Sequence, residues 1–144
     1  MYLLDTNVVS ELRKANFGRA DSNVVAWARR IPATSMFLPA IALLELELGV
    51  QLMERRDAAQ GEMLRVWMNG SVLPAFEGRI LPVDAAVALR CAGLHVPNPR
   101  PVRDALIAAT ALVHGMTVVT RNTIDFGSTG VELLDPWQLS TENI

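Results

Sequence analysis

Apolar positions along the chain have two textures: short unbroken runs, and longer stretches in which they recur every three or four residues. The first run, Tyr2-Leu3-Leu4, ends in Asp5 and predicts a buried strand. Thr6 or Asn7 then caps a helix to about Lys14, with Val8, Val9 and Leu12 on one side. Asn16 to Asn23 predicts a loop, and Val24, Val25, Trp27, Ala28 and Ile31 a second helix that Pro32 ends. Met36-Phe37-Leu38 predicts the next strand. Helices follow over Ala40 to about Met53, with Ile41, Leu44 and Leu48 as the buried stripe, and over Ala58 to Met68, stopped at Asn69-Gly70.

Arg79 to Val83 predicts a third strand, after which Asp84 opens a helix to about Gly93. His95-Val-Pro-Asn-Pro-Arg-Pro101 is too rich in proline for anything but an irregular loop. Val102 to His114 is apolar all round, as a helix packed in the interior against a sheet would be, and Gly115 closes it. Met116 to Thr120 and Val131 to Leu134 predict the last strands. None of these strands alternates apolar with polar, so both faces of their sheet are expected to be covered, as in a parallel sheet. The predicted fold is a three-layer α/β/α domain with a mainly parallel central sheet, in which residues 1–144 form one domain without repeat or linker.

Composition narrows the function classes. A chain of 144 residues with 51% hydrophobic and 19% charged side chains can bury a core without staples. Cys91 is the only cysteine, which excludes an internal disulfide and fits a reducing compartment. With His95 and His114 it forms no zinc-ligand spacing, so any metal must be bound by oxygen. No apolar run reaches the length of a membrane span, and Met-Tyr-Leu-Leu-Asp is not a signal peptide, so a cytoplasmic location and no membrane partner are expected. The formal charge of −2 excludes a broad basic face for nucleic acid. Twelve of the 13 basic residues are Arg; Lys14 is the one lysine.

Ligands of open parallel sheets sit beyond the carboxyl ends of the strands. Asp5 ends the first strand, Asp104 opens the buried helix, Asp125 follows the Thr117 to Thr120 strand, and Glu45 lies in the helix after the second strand. Each has a plainer use: Asp104 and Asp84 as helix caps, Asp5 and Asp125 as turn residues. Taken together, four carboxylates at one edge repel one another unless a divalent cation neutralises them, and carboxylate oxygens with waters suit Mg²⁺ or Mn²⁺. Glu45 and Glu47 cannot share a helical face; Glu45, on the side of Ala42 and Gly49, is the site candidate and Glu47 is expected to be solvated. His95 is expected to lack a partner and His114 to serve the helix end, which disfavours a histidine-pair nuclease. Arg29/Arg30 and Arg55/Arg56 read as solvated faces, whereas Arg100, Arg103 and Arg121 are candidates for phosphate.

Five segments, Leu-Leu-Asp-Thr-Asn-Val-Val-Ser-Glu, Ala-Ile-Ala-Leu-Leu-Glu-Leu-Glu-Leu-Gly, Arg-Ile-Leu-Pro-Val-Asp, Asp-Ala-Leu-Ile-Ala-Ala-Thr-Ala and Met-Thr-Val-Val-Thr-Arg-Asn-Thr-Ile-Asp-Phe, resemble in order and spacing a PIN-domain protein of the VapC/FitB-like toxin group. The resemblance runs from Met1 to about Trp137. It implies a PIN-like fold and a Mg²⁺- or Mn²⁺-dependent endoribonuclease of a type II toxin–antitoxin pair, with Asp5, Glu45 and Asp104 at the family's acidic positions. Where some members carry Asp directly after Thr-Arg, this chain has Asn122, so the fourth role falls to Asp125 or is shared. Thr6, Asn7, Thr120 and Asn122 then become candidates to orient water or phosphate beside Arg103 and Arg121.

Two other classes compete. A phosphoacceptor signalling domain shares the layout but needs a lysine near the last strands, where this chain has none. A non-catalytic interaction module would keep the fold and lose the acids, and only Asn122 points that way. The expected partners are an RNA substrate and a small antitoxin whose C-terminal segment covers an apolar groove, with DNA reached only through the antitoxin. Mean hydropathy of +0.26 further predicts apolar surface for a homodimer, alone or in a hetero-oligomer with the antitoxin.

Overall fold

The computed structural model describes residues 1–138. Five strands, β1 (Tyr2–Leu4), β2 (Met36–Pro39), β3 (Ile80–Leu81), β4 (Thr117–Val119) and β5 (Leu133–Leu134), form one sheet in the order β3-β2-β1-β4-β5. Every pairing is parallel. The helices are α1 (Thr6–Arg13), α2 (Ser22–Arg30), α3 (Ala40–Arg56), α4 (Ala58–Trp67), α5 (Leu73–Ala75), α6 (Ala85–Leu94), α7 (Val102–His114) and α8 (Thr123–Phe126). The expected α/β/α layering holds, with the sheet wholly parallel among the described residues.

The strands look uniformly apolar because alternate residues feed two different cores. Leu4, Leu38 and Val119 point into a cluster with Val8, Trp27, Leu46, Val50 and Phe76, on the face covered by α1 to α3. Leu3 and Val118 join Ile107, Ala108, Ala111 and Phe126 on the opposite face, with Phe37 packed against them. Behind α7, its Ala105 and Ala109 meet Val87 and Cys91 of α6. The alanines of α7 thus serve close packing on both sides, and Gly115 ends the helix at φ 65°, a conformation that disfavours side chains with a Cβ.

Several boundaries differ from expectation for physical reasons. Asp5, not Thr6 or Asn7, is the N-cap of α1, accepting from Thr6 N. Lys14–Phe17 is a 3₁₀ turn and α2 begins earlier, capped by Asp21, so the loop is shorter. The stripe buried by α3 is Ala42, Leu46 and Val50; Leu44 and Leu48 are exposed at 48% and 38%. Asn69-Gly70 does not stop the chain's helical path, which continues through a π turn (Met68–Val72) because burial of Met68 and Val72 outweighs local propensity. Arg79–Val83 shrinks to two paired residues, while Asp84 caps α6 as expected, accepting from Val87 N.

Glu47 keeps 33% of its side-chain surface exposed, but it is paired. The Arg65 guanidinium binds both its oxygens, at 2.6 and 2.9 Å, and also grips Glu54, fastening α4 to α3. The Arg65 bonds hold the Glu47 carboxyl below its ordinary range. His95 also has neighbours, since its Nδ1 accepts from Arg100 N and its Nε2 lies 3.8 Å from Cys91 Sγ.

Candidate active site

The chain leaves β1 for β2 and β3 on one side and returns to β4 on the other, so the order reverses at β1. The carboxyl ends of β1 and β4 therefore flank a crevice at a topological switch point. Asp5 N extends the ladder by donating to Val119 O at 2.9 Å, which fixes the Asp5 backbone beside the end of β4. α1 starts immediately after it, and the first turn of α7 brings in Asp104.

A cleft of about 430 Å³ opens there, lined by Asp5, Thr6, Asn7, Glu45, Asp104, Arg121 and Asn122 among others. Asp5 is only 6% exposed. Its Oδ1 accepts from Thr6 N and its Oδ2 from Thr120 Oγ1, both at 2.8 Å. The Thr6 hydroxyl donates to Glu45 Oε1 at 2.9 Å, linking α1 to α3, while Arg103 Nη1 lies 3.7 Å from Glu45 Oε2. Asn7 Nδ2 reaches Asp5 Oδ2 and Thr120 Oγ1 at 3.5 and 3.4 Å, and its Oδ1 accepts from Arg121 N.

The electrostatics of this cluster are unfavourable by construction. Burial pushes the Asp5 carboxyl above its ordinary value; the Thr120 and Thr6 bonds oppose the shift, and the charges of Glu45 and Asp125 reinforce it. Asp104 is raised as well, first by burial and then by Asp5, Asp125 and Glu45. The nearby cations give limited relief, because Arg103 pairs with Glu45 and the Arg121 guanidinium lies over the Trp137 ring at 5.2 Å. An all-oxygen set with excess negative charge fits a hard divalent cation. Among the described residues no three acids stand close enough to ligate one ion together. A cation that keeps several waters and takes one or two carboxylates suits that spacing.

The PIN domain family matches residues 2–130. The chain belongs to that family. It is 37% identical to a VapC ribonuclease of Sinorhizobium fredii over 146 residues, covering 96% of this chain and 99% of the relative. Toxin FitB of Neisseria gonorrhoeae is also 37% identical, over 142 residues, with 95% and 99% covered. The crystal structure of FitAcB from Neisseria gonorrhoeae superposes with a TM-score of 0.87, covering 96% of this chain and all of that one.

Within this PIN domain, the sequence-derived candidates differ in whether they line the cleft, and Arg103 stands beside it against Glu45 without lining it. Asp5, Thr6, Asn7, Glu45, Asp104, Arg121 and Asn122 line the cleft, and Thr120 lies buried beneath Asp5. Asp125 is exposed on α8 and does not line the cleft, although its charge is felt by Asp5 and Asp104. Arg100 is committed elsewhere, donating to Leu94 O and Ser128 Oγ, so it staples the proline loop instead of facing substrate. Asp104 does not cap α7, whose N-cap Pro101 has no side-chain bond. Sequence reasoning missed Ser10, Glu11, Lys14 and Trp137, which also line the cleft. Asn7, Ser10, Glu11 and Lys14 share one helical stripe opposite Val8, Val9 and Leu12, a legible signal. Trp137 arrives through the return of the chain after β5, which local pattern does not reveal.

Proposed function

We propose that this PIN-domain chain is a divalent-metal-dependent endoribonuclease and the toxin of a type II toxin–antitoxin pair, acting in the cytoplasm. The observation that carries the reading is the burial of Asp5 beside Asp104 at the crevice between β1 and β4, both raised in pKa and underserved by cations. The names of the relatives support the substrate class, since one is a VapC ribonuclease and another Toxin FitB.

Asp5 and Asp104 are assigned as ligands of Mg²⁺ or Mn²⁺, with Glu45 and Asp125 acting through water or through their charge. When bound, the ion supplies charge neutralisation at the phosphodiester and acidifies water. The chain's own groups do the rest. The Thr6 N–H and the Thr120 hydroxyl hold Asp5 in one rotamer and favour its ionised form against the effect of burial. Thr6 orients Glu45 so that its carboxylate can take a proton from an attacking water. Asn7, Asn122 and Arg121 present polar groups to the non-bridging oxygens, and Arg103 reaches the same oxygens by exchanging from Glu45.

Two partner surfaces follow. An apolar groove of about 240 Å³, lined by Leu12, Met36, Trp67, Val72 and Phe76 among others, borders the same helix α1 that walls the cleft. We assign it to the C-terminal segment of an antitoxin, which from there can place a basic side chain among the acids. DNA would be reached through that antitoxin, as a structure of FitAB bound to a DNA fragment illustrates for a relative. Leu44, Leu48 and Leu52 form an exposed stripe of α3 that we assign to a homodimer; sedimentation showing only monomer would contradict it. Among the described residues no helix is long and apolar enough to cross a membrane.

The deciding experiment is cleavage of RNA in Mg²⁺ or Mn²⁺ by wild type, Asp5→Ala and Asp104→Ala. Loss of cleavage in both variants, with their folds intact, is expected. Undiminished cleavage in either removes that residue from the site.

A further inference from the structure

α1 has two stripes. Val8 and Val9 are buried in the core and Leu12 packs against it, whereas Asn7, Ser10, Glu11 and Lys14, at positions i, i+3, i+4 and i+7, line the acidic cleft. The cleft therefore runs along the helix from Asp5 to Lys14, roughly 13 Å at 1.5 Å per residue. One end is anionic and the other carries the only lysine of the chain. Lys14 is half exposed, with 52% of its side-chain surface accessible, and its ammonium lies 3.2 Å from Glu11 Oε1.

Glu11 does not depend on that contact. Its carboxylate is mostly buried, and Oε2 accepts from Asp21 N at 3.0 Å, tying α1 to the cap of α2. Lys14 can exchange Glu11 for another anion while Glu11 keeps a partner. Arg103 is paired with Glu45, and Arg121 lies over Trp137. Those two arginines stand at the acidic end of the cleft, whereas Lys14 is the cation at the opposite end of the stripe, held at an exposed rim by an acid with a second donor.

Resting on the ribonuclease reading, we infer that Lys14 binds a phosphate of the RNA strand flanking the scissile one, with the strand running along the Asn7, Ser10, Lys14 stripe. This makes Lys14 a substrate-positioning residue. It sets how the strand is held and takes no part in bond cleavage. An ammonium serves here as a point charge, so guanidinium should replace it and an amide should not.

The test compares wild type with Lys14→Gln and Lys14→Arg, after thermal unfolding shows the three equally folded. In steady-state cleavage of a single-stranded RNA, Lys14→Gln is expected to raise KM about tenfold with kcat nearly unchanged, and Lys14→Arg to restore KM. Binding of a labelled single-stranded RNA is then measured by fluorescence anisotropy in an Asp104→Asn background. The slope of log affinity against log salt should shrink by about 0.7 in Lys14→Gln. An unchanged KM and slope, a fall in kcat alone, or an arginine variant as weak as the glutamine variant overturns the inference. If Lys14-dependent RNA binding is found without any cleavage by wild type, the nuclease reading falls and only the Lys14 contact with RNA phosphate stands; absence of RNA binding removes both.

Discussion

The Thr120 hydroxyl donates to Asp5 Oδ2 at 2.8 Å, inside the protein and across 115 positions of sequence. The direction of that bond is enforced. Asn122 N donates to Thr120 Oγ1 at 3.0 Å and Asn7 Nδ2 approaches it at 3.4 Å, so the single hydroxyl proton is left for the carboxylate. Thr120→Val preserves shape and removes the donor. It should cost about 1.5–3 kcal/mol of stability where Asp5 is ionised, the scale of a hydrogen bond to a charged group. Because the lost bond had lowered the Asp5 pKa, the acid limb of the pH–rate profile should move to higher pH. Thr120→Ser should keep both properties; urea titration and a pH–rate series decide.

Asp5 and Asp104 both titrate above their ordinary value of 3.8 in the folded protein. Between that value and the raised ones the folded state binds more protons than the unfolded state. Stability therefore falls as pH rises through this interval and stays lower above it. In chelator at pH 7, Asp104→Asn should be more stable than wild type, and the difference should vanish at low pH where both sites are neutral. Added Mn²⁺ should stabilise wild type and do little for the variant. Thermal unfolding from pH 3 to 8 reads all of this, and a less stable Asp104→Asn in chelator would remove burial of the charge and mutual repulsion as the causes.

The ease of reading the fold and the difficulty of reading the site have one origin. Leu3, Leu4, Val118 and Val119 announce covered strands because both faces of the sheet are apolar, and Asp5 and Asp104 are visible because each adjoins such an element. Side-chain partnerships between distant segments are another matter. Glu47 and Arg65 are 18 positions apart, and nothing local distinguishes a solvated glutamate from one gripped by a guanidinium on the next helix. Arg100 and Arg103 look alike in sequence, yet one staples a loop to Ser128 and the other faces Glu45. The expected α3 stripe holds at Ile41, which packs against the core, and fails at Leu44 and Leu48 for a related reason, since both are as apolar as the residues that are buried. Which apolar face turns inward depends on where β1 and α1 lie.

Gly61 shows how closely α4 approaches α3. A Cβ at this position would lie 2.4 Å from Glu54 Cα and 2.7 Å from Glu54 N, both backbone atoms that cannot rotate away. Gly61→Ala should therefore destabilise the protein by about 3 kcal/mol, at the upper end of overpacking costs. Trimming Glu54 to Ala in the same chain should not rescue it, because the obstruction is main chain. Denaturant midpoints of the single and double variants measure both statements; full rescue would place the clash in the Glu54 side chain.

Asn122 and Asp125 compete for the fourth acidic role, and their surroundings differ. Asn122 lines the cleft and its N–H braces Thr120, whereas Asp125, on the turn of α8, acts on Asp5 and Asp104 by its charge and does not line the cleft. A group acting through space is worth little once a divalent ion and solvent screen it. Asp125→Asn should reduce RNA cleavage less than about tenfold, one unit of 1.4 kcal/mol in the barrier. It should also move the acid limb of the pH–rate profile to lower pH, because a neighbour that raised both aspartates is gone. Asn122→Asp should tighten Mn²⁺ binding, measured by calorimetry, and lower the stability of the metal-free protein, because it adds a like charge to the cleft. If Asp125→Asn instead abolishes cleavage as completely as Asp5→Ala, Asp125 must swing into the cleft when metal and RNA are bound. The fourth ligand would then be Asp125, with Asn122 left to brace Thr120.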